Sequence, residues 1–187
     1  NNVYLDSLPA LPTSLKRLVF NYDTLLTSLP ALPAGLQYLE CNNNKLVSLP
    51  PFPASLLYLK CAWNQIASLP PFNDGLITAL CSGNRIREIQ RIPNTIERLE
   101  IGGNNIFCLP FIPQTPYPTT IIADATIQCI STVNTRLAFY PSRPKLCTPT
   151  NNERRCASYP VIKGYLYFDA NNNGIKDPGE PVKKDAR

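Results

Sequence analysis

The chain has 187 residues, 44% of them apolar and 20 of them proline, with no histidine, no methionine and a net charge of +5. Residues 1–130 carry eight basic and eight acidic side chains, and 131–187 carry ten against five; no concentrated basic face is implied, which argues against a nucleic-acid partner. Without His there is no Ser–His or Cys–His pair, no glycine-rich phosphate loop is present, and no apolar run is long enough to span a membrane, so neither catalysis nor membrane insertion is expected.

The chain opens on NNVYLDSLP, half of a repeat, with no initiating Met and no signal peptide, and reads as a piece of a longer precursor. A twenty-residue period then sets in. Leu36, Leu39, Cys41, Asn44 and Leu46 recur as Leu56, Leu59, Cys61, Asn64 and Ile66, and as Leu76, Ala79, Cys81, Asn84 and Ile86. A further copy is Ile96, Leu99, Ile101, Asn104, Ile106, and an earlier one, a residue longer, is Leu15, Leu18, Phe20, Asp23, Leu26. One position is thus filled by Phe, Cys, Cys, Cys, Ile. Such a site asks for an apolar side chain, and free cysteine behaves as a small hydrophobe. The three evenly spaced thiols are expected in the core, with a soft-metal site or cross-strand disulfides as the alternatives. The asparagines are expected to form a hydrogen-bonded column where the chain leaves each strand. The SLPxxPxxL stretches suit an extended return path outside the sheet, because proline cannot donate to a ladder.

The pattern LxxLxLxxNxL, in units such as SLPALPAGLQYLECNNNKLV and SLPPFPASLLYLKCAWNQIA, resembles the bacterial LP-containing subclass of leucine-rich repeats. The resemblance covers about residues 3–113 and implies a mostly β repeat solenoid: a curved array with a parallel concave sheet and an extended convex side. It also implies a protein-binding scaffold, which in some effectors carries a ubiquitin ligase domain; nothing downstream resembles that ligase. Residues between the anchors would stack in columns on the concave face. These run Arg17, Tyr38, Tyr58, Thr78, Arg98; then Val19, Glu40, Lys60, Leu80, Glu100; then Asn21, Asn42, Ala62, Ser82, Gly102; and, at the strand exit, Tyr22, Asn43, Trp63, Gly83, Gly103. Arg17, Tyr22, Tyr38, Glu40, Tyr58, Lys60, Trp63 and Leu80 are the candidate protein-binding residues, since aromatics flanked by charge compose interaction hot spots. Tyr38 and Tyr58 stacking merely to stabilise the sheet is the alternative. Glu40 and Lys60 are expected to be a solvated pair.

Residues 114–160 are expected to cap the array, because an open solenoid must cover its last apolar layer. Cys108, Cys129, Cys147 and Cys156 lie where the array must end, off the repeat rhythm. Four cysteines allow three pairings; Cys108–Cys129 with Cys147–Cys156 keeps both loops local. Disulfides imply an oxidising, exported location.

Residues 161–187 contain DANNNGIKDPGE, which fits a twelve-position acidic cation loop. Asp169, Asn171, Asn173, Asp177 and Glu180 offer side-chain oxygens, Ile175 a carbonyl, and Gly174 the sharp turn. Hard oxygen donors favour Ca²⁺; an ion-free Asn-Gly hairpin is the alternative. The flanks GYLYF and PGEPV are strand-like and proline-bearing, unlike a helix-pair sensor. VIKGYLYFDANNNGIKDPGEPV resembles the start of the B-type repeats of serine-aspartate surface adhesins, which implies a calcium-bound β-module truncated at Arg187. The whole combination resembles exported Bacteroidetes surface proteins. A truncated strand pair exposes an edge, so a calcium-dependent homodimer through the tail is a further expectation.

The leading expectation is an exported bacterial protein, secreted or on the cell surface, whose concave face binds a protein such as a host factor or matrix component. The alternatives are a secreted effector with the array as the recognition arm of an enzyme, and a purely structural stalk or tip.

Overall fold

The computed structural model describes residues 6–23, 25–110 and 120–123, together with the backbone of five further short strands. The chain divides into two compact units, Asn1–Ala157 and Ser158–Arg187.

The first unit is a parallel-strand solenoid. Its strands are three residues long where the repeat is regular: β1 (Arg17–Val19), β2 (Tyr38–Glu40), β3 (Tyr58–Lys60), β4 (Thr78–Leu80) and β5 (Arg98–Glu100). Every neighbouring pair is parallel and in the register set by the repeat, Leu39 beside Leu59 and Leu59 beside Ala79. The central residue of each strand points inward. Leu39, Leu59, Ala79 and Leu99 are fully buried, as are Cys41, Cys61 and Cys81 one step on. The three thiols are free and buried, in line with the expected apolar column. Burial raises the Cys41 thiol far above its ordinary pKa, and a hydrogen bond with Cys61, then burial, does the same for Cys81.

The asparagine column is fully formed. Asn64 accepts from the Leu46 N–H at 3.1 Å and donates to the carbonyls of Cys41 at 2.8 Å and Cys61 at 3.2 Å. Asn84 and Asn104 repeat that pattern one and two strands later. Each asparagine therefore bonds its own strand exit to that of the preceding repeat and satisfies a backbone N–H that would otherwise be buried unpaired. On the opposite side, each proline-bearing stretch closes a turn, with Leu36 N–H bonded to Pro33 O and Leu56 N–H to Pro53 O, both at 3.0 Å. No helix occurs among the described residues.

The sheet does not stop where the regular repeat does. β7 (Thr120–Ile122) pairs with β5, and β9 (Ala138–Tyr140) pairs with β7, both parallel, giving the order β1-β2-β3-β4-β5-β7-β9. Ile121 takes the slot of Leu99 and is fully buried, and Ala123 follows in the slot of Ile101. The expected cap segment thus extends the sheet. The anchors persist, but their spacing shifts from twenty residues to 22 between Leu99 and Ile121. A second parallel sheet joins β6 (Cys108–Leu109), β8 (Cys129–Ile130) and β10 (Lys145–Leu146), in the order β10-β8-β6. Cys108 stands opposite Cys129 in that register. Only the backbone of these two is described, and Cys147 and Cys156 lie outside the described residues, as does the proposed pairing.

In the second unit, β11 (Leu166–Tyr167) pairs antiparallel with β12 (Val182–Lys183), Tyr167 opposite Val182. The pairing brings together the two ends of the segment that holds the acidic loop. Asp169, Asn171, Asn173, Ile175, Asp177 and Glu180 themselves lie outside the described residues.

Candidate protein-binding face

Alternation within each three-residue strand sends the flanking side chains to the open face of the sheet. The register places Arg17, Tyr38, Tyr58, Thr78 and Arg98 in one column, and Val19, Glu40, Lys60, Leu80 and Glu100 in the next. Five of the eight candidate residues meet in one cluster centred on Tyr38. The Arg17 guanidinium lies 3.8 Å from the Tyr38 ring centroid, and the Lys60 ammonium lies 5.4 Å away. The Tyr58 ring is 6.0 Å from that of Tyr38, tilted by 42°. Contacts of this kind favour a cation over an aromatic face.

Glu40 sits at the polar end of the cluster. It accepts from the Tyr38 hydroxyl at 2.5 Å and from the Asn21 amide at 3.0 Å, and Lys60 Nζ lies 3.6 Å from it. The Tyr38 bond, with help from Asn21 and Lys60, outweighs partial burial and holds the Glu40 carboxyl below its ordinary pKa. Lys60 is raised, chiefly by the Tyr38 hydroxyl and then by Glu40. The expected solvated Glu40–Lys60 pair is therefore part of a network with Tyr38 and Asn21. Asn21 also accepts the Asn42 N–H at 2.7 Å, which ties the cluster to the backbone. Its role was missed at the level of sequence, although its place in the third column was visible.

Tyr22 and Trp63 stand apart from this cluster, in the strand-exit column, and are 56% and 66% exposed. Their backbones share an unusual conformation. Tyr22, Asn43 and Trp63 have φ of 65°, 58° and 57°, and Gly83 and Gly103 continue the series at 67° and 66°. Every copy uses the same left-handed turn, which glycine adopts freely and other residues adopt at a cost of about 1–3 kcal/mol. The Trp63 indole lies against Gly83, where an added Cβ would come within 2.7 Å of the ring. Leu80 stands half-buried beside Lys60 and takes no part in the polar cluster.

No protein-family model and no curated protein matches this chain. Solved structures do. The leucine-rich repeat domain of a Shigella effector shares 26% identity over 84% of this chain and 74% of its own, with a TM-score of 0.63. YopM from Yersinia enterocolitica shares 26% identity over 76% of this chain and 33% of its own, TM-score 0.58. YopM from Yersinia pestis, titled a leucine-rich effector protein, shares 28% over 75% of this chain and 45% of its own, TM-score 0.54. The chain spans about a third of one YopM chain and somewhat under half of the other.

Proposed function

We propose that this leucine-rich repeat solenoid, similar in fold and sequence to repeat domains of bacterial effectors, is a protein-interaction module exported by a bacterium. One observation carries the reading. Tyr22 and Trp63 are exposed aromatics held in a left-handed turn that glycine serves at lower cost in the later repeats, at Gly83 and Gly103. Strain of that kind persists where something other than stability selects the side chain. A rigid solenoid that presents both Trp63 and the separate, prearranged Arg17–Tyr38–Tyr58–Glu40–Lys60 cluster gives up little entropy on binding. The partner we favour is an extracellular protein, such as a host factor or matrix component, with this chain secreted or at the cell surface and without catalysis of its own.

The likeness to bacterial effectors favours a second reading, in which the array is the recognition arm of a secreted effector. Immobilised wild-type chain and Trp63→Gly should be offered matrix extract and host cytosol in parallel. Capture from matrix that Trp63→Gly loses supports the first reading, and capture from cytosol alone supports the second. Equal capture by both proteins would remove Trp63 from the binding face, and no capture by either would leave an architectural stalk.

We further propose that residues 169–180 hold Ca²⁺ through Asp169, Asn171, Asn173, the Ile175 carbonyl, Asp177 and Glu180. The β11–β12 pairing supports this by drawing the ends of the segment together. Calorimetric titration of the full chain with Ca²⁺, with and without Glu180→Gln, tests it; no heat from the wild type would refute it. Chromatography with and without chelator tests the homodimer through the tail, and non-reducing peptide mapping tests the Cys108–Cys129 and Cys147–Cys156 bridges.

A further inference from the structure

The third column of the open face runs Asn21, Asn42, Ala62, Ser82, Gly102. Asn21 Oδ1 accepts the Asn42 N–H at 2.7 Å, and Asn42 Oδ1 accepts the Ala62 N–H at 2.9 Å. Each asparagine caps the backbone donor one strand further along. Ala62 offers no acceptor, and the chain of caps ends there. Among the described residues, the N–H groups of Ser82 and Gly102 have no hydrogen-bond partner, whereas those of Cys81, Gly83 and Ile101 on either side are bonded to the next strand. Repeat equivalence aims both free donors at the open face, toward positions 62 and 82.

The surface in front of them is bare, since Ala62, Ser82 and Gly102 carry at most a hydroxymethyl group. The Trp63 indole, seated on Gly83, forms a wall beside this shelf. Adjacent strands put the two donors about 4.8 Å apart, a separation that one carboxylate spans with two N–H···O bonds of about 2.9 Å. The charge balance points the same way. Glu100, the acidic neighbour, is engaged by Arg98 through Nε at 2.6 Å and through Nη2. Arg85, two residues past Gly83, is exposed and has no carboxylate partner among the described residues.

We propose that this shelf is a subsite for a glutamate side chain in an acidic segment of the protein partner. Its carboxylate accepts from the Ser82 and Gly102 N–H groups, and its methylenes lie along the Trp63 indole. The inference rests on the protein-binding reading above and adds the chemistry of the partner.

The test uses the full chain, labelled with ¹⁵N, and a capped tetraglutamate peptide as probe, with capped tetralysine and a short oligothymidylate in parallel. Tetraglutamate should move the Ser82 and Gly102 amide resonances in a saturable way and change Trp63 fluorescence. Ala62→Asn/Ser82→Asn extends the existing run of caps onto both donors. It should keep the wild-type fold by circular dichroism and weaken tetraglutamate by at least about tenfold, the equivalent of 1.4 kcal/mol. Unmoved Ser82 and Gly102 amides, equal shifts with tetralysine, or full binding by the double variant would each overturn the proposal. Shifts at these amides with the oligonucleotide alone would also overturn it, in favour of a phosphate ligand. Failure here alongside Trp63-dependent capture of a protein would remove the subsite and leave the binding module standing.

Discussion

Glu40 accepts hydrogen bonds from Tyr38 and Asn21 and faces Lys60, so its ionised form is favoured in the folded chain. Because the folded pKa is lowered, the contribution is complete above the unfolded value and is lost as pH falls through the folded one. An NMR titration should place the Glu40 midpoint below 4.5, and Tyr38→Phe should move it back up. Asp23 is the odd member of the asparagine column. It is buried to 3% exposure, and its Oδ1 has no partner among the described residues. Asn44, Asn64, Asn84 and Asn104 each donate to the carbonyl three residues before them, a bond for which Asp23 has no amide N–H to offer Phe20. Asp23→Asn restores that bond. It should add about 1 kcal/mol and raise Tm by about 2–4 °C; a lower Tm would show that the carboxylate serves another purpose. The repeat alignment already exposed Asp23 as a departure. It could not expose the left-handed turn beneath Tyr22 and Trp63, since aromatics disguise a position that Gly83 and Gly103 would have revealed.

Strands and turns are tied together one layer at a time. Asn64 bonds the Leu46 N–H and the Cys41 and Cys61 carbonyls. Asn64→Ala strands the Leu46 N–H in the interior, while the Cys41 and Cys61 carbonyls keep their bonds from Asn44 and Asn84, and should cost about 1–3 kcal/mol, measured by denaturant unfolding. On the outer side the clamp varies in residue but not in action. Ser55 Oγ donates to the Ala34 and Leu36 carbonyls, and Thr95 Oγ1 to those of Asp74 and Leu76. Where the intervening copy has Gly75, Asn73 reaches the Ala54 and Leu56 carbonyls instead. Apolar and asparagine anchors were legible from period alone because every copy must fill the same stacked slot. The substitution of Asn73 for a hydroxyl was not legible, since two residue types at different offsets reach equivalent carbonyls. The thiol column gives a direct check. Cys41, Cys61 and Cys81 should resist alkylation in the native chain, as burial disfavours the thiolate, and react once denatured; prompt native labelling of their peptides would contradict the burial.

At the scale of the molecule, neighbouring repeats supply nearly all contacts, and stability should be a sum of repeat and interface contributions. That sum is uneven. Leu18 in β1 is only partly buried, whereas its equivalents Leu39, Leu59 and Leu99 are fully buried. Amide exchange should therefore be fastest in β1 and slowest in β3 and β4, and uniform protection along the array would count against independent repeats. The solenoid and its register were written in the twenty-residue period as far as β5. Beyond it, β7 and β9 keep Ile121 and Phe139 in register with Leu99 but space them by 22 and 18 residues. A fixed-period search loses strands whose connections change length.

The shared left-handed exit has an engineering corollary. Positions 22, 43, 63, 83 and 103 form a row of sockets on one backbone shape, away from the apolar column and the asparagine bonds. Amino acids exchanged there are chosen with their neighbour in mind, since a side chain at Gly83 would meet the Trp63 ring. The same chain thus offers a five-letter surface alphabet for building new specificities on an unaltered frame.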